Sequence, residues 1–233
     1  MRDAISLLTT FGRRGGQITA RACLWFPVVG LALGAALGGC WWIADQLWPA
    51  PVAAAIVVLA DLAFTGMLHI DGLADSADGL LPHADRPRRL QIMRTPDVGA
   101  FGVAVVAVAL VLSTTSLAVQ PVSVLLLAAL WMTARAIVAV VPASMTYARD
   151  SGIASPLMDG ASRWPIVAVP IALLLAIVGS GVAGAAAVAI AAASAVGVLS
   201  LSQRRLGGFT GDVLGAVIVV TETVGLVVAA ARW

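Results

Sequence analysis

Three aspartates, Asp71, Asp75 and Asp78, lie in a run that reads His69-Ile70-Asp71-Gly72-Leu73-Ala74-Asp75-Ser76-Ala77-Asp78-Gly79. At about 100° per residue, the i, i+4, i+7 spacing puts them within an arc of roughly 60° on a helix. Three carboxylates on so narrow a face repel one another unless a positive charge sits among them. A hard divalent cation suits the role: it takes oxygen ligands and, when few carboxylates hold it, completes its shell with water and substrate phosphate. A helix cap needs one such acid, not three on one face. An EF-hand alternates its acids differently. The pattern predicts a Mg2+ site at Asp71, Asp75 and Asp78 that holds a diphosphate, with His69 beside it as a base, a phosphate donor or an interfacial residue.

A second element is Gly207-Gly208-Phe209-Thr210-Gly211-Asp212, ahead of the last apolar span. It lacks the lysine of a P-loop. A glycine-rich turn before a helix can still offer backbone N–H groups to an anion, so Gly208, Thr210 and Asp212 are candidate substrate contacts. Asp212 is also a fourth candidate metal ligand, and Thr210 or Asp212 could equally be a plain N-cap. Arg94, Arg135 and Arg149 are candidates for spreading phosphate charge. Arg135 lies well inside an apolar span, where an ionisable residue is a functional candidate by default; Asp61 and Glu222, also inside spans, are its possible partners. Arg86, Arg88 and Arg89 are read as setting topology only.

The elements that must position these residues are membrane helices. The 233-residue chain is 61% hydrophobic and 11% charged, against about 25% charged in soluble domains. A crossing needs roughly 17–25 apolar residues. About seven such spans are expected, near 26–44, 49–66, 101–119, 121–142, 165–180, 182–200 and 213–231. Only Gly179-Ser180-Gly181 separates the fifth from the sixth, so they are two short helices or one bent one. The fold class is an all-α, polytopic helix bundle in a lipid bilayer, read as a single domain over 1–233. Gly30, Gly34 and Gly38 make a small-xxx-small face for close packing. All fourteen basic residues are arginine. A cytoplasmic N-terminus puts Arg2, Arg13, Arg14, Arg21, Arg86, Arg88, Arg89, Arg94, Arg149, Arg163, Arg204 and Arg205 inside and only Arg232 outside, as the positive-inside rule prefers. The polar segments 67–100, 143–164 and 201–212 then share the cytoplasmic face of a plasma or inner membrane. The net charge of +2 gives no sign of a nucleic-acid partner. Cys23 and Cys40 are too few for a disulfide framework.

Aspartate-rich segments that hold a diphosphate through Mg2+ at a membrane surface are also found in CDP-alcohol phosphotransferases and membrane prenyltransferases. Here Asp71-Gly72 is followed by Leu73-Ala74-Asp75, without the arginine of the CDP-alcohol pattern. A cation-coupled transporter would place its ionisable residues at mid-span in broken helices, whereas most acids here lie in the polar segments.

The chain closely resembles the cobalamin synthase (adenosylcobinamide-GDP ribazoletransferase) family. The resemblance rests on the His69–Gly79 run, on Ile92-Met93-Arg94 and Val98-Gly99-Ala100-Phe101-Gly102, on Trp25-Phe26-Pro27-Val28-Val29-Gly30, on Tyr147-Ala148-Arg149 with Gly152, and on Leu206 to Ala216. It covers about residues 25 to 222. Departures are Thr95-Pro96-Asp97, where Asp-Ser-Arg is frequent, Val219 in place of a glutamate, and the strip before residue 20. The resemblance implies attack by α-ribazole, or its 5′-phosphate, on the diphosphate of adenosylcobinamide-GDP, with loss of GMP. Mg2+ is the expected cofactor, His69, Asp71, Asp75 and Asp78 are the candidate catalytic group from their chemistry, and a homo-oligomer is left open. Trp25, Trp131 and Trp164 are candidate walls for the corrin or interfacial anchors.

Overall fold

The computed structural model describes residues 1–12, 19–152 and 154–232; Arg13 and Arg14 lie outside them. Helices follow one another as α1 (Arg2–Leu8), α2 (Phe26–Leu47), α3 (Ala50–Thr65), α4 (Leu68–Leu80), α5 (Arg86–Ile92), α6 (Ala100–Val119), α7 (Val124–Val140), α8 (Ala168–Leu206) and α9 (Gly211–Ala229). The described residues hold no strand; one isolated bridge joins Tyr147 to Phe209.

Five stretches are long and apolar enough to cross a bilayer: Ala20–Leu47, Ala100–Val119, Val124–Ala143, Trp164–Leu206 and Gly211–Ala229. α3 and α4 qualify as a further one only together, and they are bent by 90°. α4, at 13 residues, is about 20 Å long and cannot cross alone. It turns aside from α3 through Gly66 and Met67, both at positive φ (61° and 60°), and is not itself one of the five. The all-helical, polytopic expectation holds, and the apolar segments fall where the hydropathy pattern puts them.

The fifth and sixth expected spans join as α8, which breaks at Ser180 (φ −152°) and Gly181 (φ 59°). In an unbroken helix residues eight apart are about 12 Å apart. Here a Cβ on Gly184 would overlap the Ala176 carbonyl oxygen, so the two arms fold back on each other.

α7 is the centre of the bundle, with every residue from Leu126 to Ala139 buried. The glycine face of α2 seats against it: a Cβ on Gly30 would stand 2.5 Å from the Trp131 carbonyl oxygen, and one on Gly38 2.7 Å from the Val124 Cα. The close-packing role expected for that stripe is realised on α7. Trp131 is not at an interface as expected; it is 3% exposed because α7 is enclosed on all sides.

The 67–100 stretch, expected as one long polar connection, carries α4 and α5, and α8 extends to Leu206 into the segment expected to begin at 201. Polar side chains had masked these helices to a hydropathy reading. Their polarity serves their ends. Arg89, read as a topology signal, is buried and donates to the Gly79 and Leu80 carbonyls at 2.7 and 2.9 Å. Arg205 reaches Leu80 at 2.8 Å. Two guanidinium groups thus satisfy the last two carbonyls of α4, where cations are favoured.

Candidate active site

α4 packs across the start of α9 with almost no side chain between them. A Cβ on Gly72 would stand 2.7 Å from the Asp212 carbonyl oxygen, and one on Gly215 3.3 Å from the Gly72 Cα and 3.2 Å from the His69 carbonyl oxygen. Gly72 sits between the acids on α4, and Gly215 lies one turn after Asp212 on α9. The backbone seam therefore carries Asp71 and Asp75 up to Asp212.

The turn before α9 is held from outside. Ala148 N–H donates to the Phe209 carbonyl (2.8 Å) and Phe209 N–H to that of Thr146 (3.0 Å). Thr146 Oγ1 donates to the Gly207 carbonyl at 2.8 Å, and Tyr147 and Phe209 meet edge to face at 5.3 Å. Gly208 is buried beneath the Thr146 carbonyl with no space for a Cβ. Thr210 is the N-cap of α9, its hydroxyl accepting from Val213 N–H at 3.3 Å and donating to Asp212 at 3.3 Å. The loop after α7 is thereby stitched to the turn, and Arg149 follows directly. Its guanidinium lies 2.7 Å from the Asp212 carboxylate and donates to the Met93 carbonyl at 3.1 Å.

The three α4 acids part company in their surroundings. Asp71 is exposed, Asp75 half-buried and Asp78 buried. Asp78 accepts from Gly99 N–H at 2.6 Å and Gly102 N–H at 2.9 Å. It caps the N-terminus of α6, two of whose donors would otherwise be orphaned. No local pattern announces such a cap, because the partners lie 21 and 24 residues away. Asp75 is the acid in the crowd. Burial, then the charges of Asp212, Asp71 and Asp78, push its pKa up to about 6, against a lowering by Arg149.

A cavity of about 140 Å³ opens beside the seam, lined by His69, Asp71, Tyr147, Arg149 and Asp212 and walled by Leu7, Leu8, Phe26, Leu157 and other apolar side chains. His69 is buried, and its Nε2 has no hydrogen-bond partner. Burial and the Arg135 charge hold its pKa well below the usual value, which keeps the imidazole neutral. Tyr147 is a wall residue that its residue type alone did not single out. Leu7 and Leu8 come from α1, a short strip with no chemistry in its composition; nothing in the sequence marked them.

Arg135 and Arg94 are not brought to this cavity. Arg135 is fully buried in α7 and forms an ion pair with Glu222 of α9. Asp61 of α3, the other partner considered for it, instead accepts from the Trp131 indole at 3.0 Å, while close enough to feel the Arg135 charge. Asp61, Trp131 and Glu222 border a separate, narrower cavity of about 50 Å³ within the bundle, which His69 also lines. Arg94 is exposed and lines an open cleft on the far side of Arg149.

Among the described residues no three His, Cys, Asp or Glu side chains converge as a ready-made metal cage. Mg2+ rarely has one: it binds through one or two carboxylates and takes the rest of its shell from phosphate and water. Asp71 and Asp212 line the cavity together, with Asp75 on α4 close enough to feel both charges, and this all-oxygen donor set fits such an ion.

The family model for cobalamin-5-phosphate synthase matches residues 1–230. A protein of Alkalilimnicola ehrlichii, named adenosylcobinamide-GDP ribazoletransferase, is 42% identical over 86% of this chain and 81% of its own length. Proteins of the same name are 34% identical in Chlorobium phaeovibrioides, over 94% of this chain and 92% of theirs, and in Escherichia coli, over 89% and 86%. No solved structure matches the chain.

Proposed function

Because the chain belongs to the cobalamin-5-phosphate synthase family, we propose that it transfers the adenosylcobinamide phosphate group of adenosylcobinamide-GDP to α-ribazole or its 5′-phosphate. GMP is released, and adenosylcobalamin or its 5′-phosphate is formed. The structural observation that carries this reading is the cavity in which Asp71, Asp212 and Arg149 face an apolar wall. It offers a charged end for a diphosphate and an apolar end for the aromatic base of a ribazole. A CDP-alcohol phosphotransferase or a cation-coupled transporter has no such support.

The ribazole hydroxyl oxygen forms a bond to the phosphorus next to cobinamide. The bond from that phosphorus to the bridging oxygen breaks, and its electron pair stays on the departing GMP. Such a step needs little beyond positioning and charge stabilisation. Arg149, anchored by Asp212 and the Met93 carbonyl, holds the phosphates in place. His69, neutral and with a free Nε2 at the cavity wall, takes the hydroxyl proton. The apolar side chains exclude water, which would otherwise compete as acceptor. One or two carboxylates of the Asp71, Asp75 and Asp212 group would hold Mg2+, which when bound would neutralise the diphosphate and orient the leaving group. Asp78 contributes by fixing the start of α6.

Purified protein given adenosylcobinamide-GDP, α-ribazole and Mg2+ releases GMP, and chelation of the metal stops it; no release by the complete mixture refutes the reading. The site faces the cytoplasm in the cell membrane, as the arginine distribution supports. A cysteine at exposed Asp97 then reacts with an impermeant maleimide only from the cytoplasmic side.

A further inference from the structure

Arg149 has two faces. One borders the acidic cavity; the other borders an open cleft of about 350 Å³ between α5 and the loop after α7, lined by Arg86, Gln91, Arg94 and Asp150 among others. The volume lies within the roughly 300–1,000 Å³ of small-molecule sites. Three arginines and one aspartate line it, so the cleft is an anion site by charge. Its donors are largely uncommitted. Arg94 is exposed, and Arg86 makes one long contact, Nη2 to the Ala148 carbonyl at 3.4 Å; Arg149 is held by Asp212 and the Met93 carbonyl through Nη2 alone. Asp150 is exposed, and neither ion pair among the described residues involves it.

We propose that this cleft binds the guanosine monophosphate half of the substrate diphosphate and selects guanine over adenine. The proposal rests on the transferase reading above. Arg149, lying between the two spaces, puts the scissile diphosphate at their junction, with the acceptor nucleoside on one side and the leaving nucleotide on the other. Guanine offers acceptors at O6 and N7 to an arginine fork, and its N1–H and N2–H2 donors fit a carboxylate; adenine reverses the polarity at position 6 and has no N1–H. Arg86 or Arg94 with Asp150 therefore match guanine and mismatch adenine. The cleft opens to solvent, so GMP leaves without crossing the apolar cavity. Arg86, which the sequence marked only as a topology signal, becomes a specificity residue.

The test is equilibrium binding of GMP and AMP to the full chain in neutral-lipid nanodiscs, with GMP release from adenosylcobinamide-GDP followed in parallel. The wild type binds GMP at least about tenfold more tightly than AMP. Arg86→Gln weakens GMP roughly tenfold, and Asp150→Asn brings the GMP and AMP affinities together; both variants keep the wild-type melting temperature. A wild type that releases GMP, with GMP binding that ignores both substitutions, overturns the cleft assignment and leaves the transferase reading standing. Glycerol phosphate, the head group of an anionic lipid, displacing GMP as well as AMP does would overturn it too, since the cleft would then be a general anion site. A wild type that neither releases nor binds GMP refutes the parent reading itself.

Discussion

Arg149 joins Asp212 at 2.7 Å and the Met93 carbonyl at 3.1 Å through one nitrogen, Nη2. One side chain thus ties the loop after α7 to the start of α9 and to the end of α5. A planar fork with several donors can do this and still face a phosphate; a lysine ammonium is a single point charge. Arg149→Lys is expected to lower the rate of GMP release by about 100-fold, the usual cost of losing one preorganised electrostatic contact, with little change in melting temperature. Steady-state assays on the purified variant check it.

Asp78 is expected to behave differently from Asp75. Asp78→Ala strips two N–H groups at the α6 N-terminus of their acceptor, a loss of about 1–3 kcal/mol in stability, and Asp78→Asn restores part of it. Asp75→Ala is expected to fold normally and to lose metal-dependent turnover. Thermal melts and Mg2+ titrations of the variants separate the two roles; equal melting temperatures would refute the cap.

The Asp75 carboxyl, at about 6 in the folded protein against 3.8 ordinarily, binds its proton more tightly folded than unfolded. Its contribution to stability is complete below about pH 4 and is lost as the pH rises through about 6. Metal-free protein should therefore melt at progressively lower temperature between these limits, and Asp75→Asn should flatten that portion of the curve. Mg2+ should oppose the loss at the high end. Melting curves in EDTA and in Mg2+ at several pH values show this directly.

Gly72→Ala inserts a methyl group into the α4–α9 seam, 2.7 Å from the Asp212 carbonyl oxygen. Backbone must move to admit it, at about 1–3 kcal/mol. The displacement falls on Asp212, so turnover should drop with stability, whereas alanine at Gly39 inside α2, where no atom lies within 4 Å, should leave turnover unchanged and raise stability by about 0.5–1 kcal/mol.

Arg135 and Glu222 are one buried unit. Glu222→Gln leaves a buried guanidinium without its counter-charge and is expected to cost ~3–5 kcal/mol. Replacing both together, Arg135→Met with Glu222→Leu, should recover most of it. Denaturation of the single and double variants in detergent measures the coupling.

The spans and the packing face of α2 were legible in the sequence, because hydropathy and small-residue spacing act locally; that α7 is the partner, and that the Gly179–Gly181 interruption turns one helix back on itself, were not. The acidic run also showed its helix through the i, i+4, i+7 spacing. The division of labour among the three acids did not show. It depends on Gly99, Gly102 and Asp212, which only the folded chain brings near. Arg135 showed that a charge inside a span needs a partner, but the choice of Glu222 over Asp61 depends on which helices meet α7. Leu7 and Leu8 carry no signal at all; they matter through where α1 lies.

The contact of Gly72 with Gly215 has a consequence for anyone redesigning this protein. Main chain meets main chain there, so the spacing between the two acidic helices is a constant of the scaffold, and side-chain substitution can only widen it at the expense of the fold. Altered acceptor preference must instead come from the rim, from Leu7, Leu8, Tyr147 and Leu157, where side chains line the cavity and its volume is open to change.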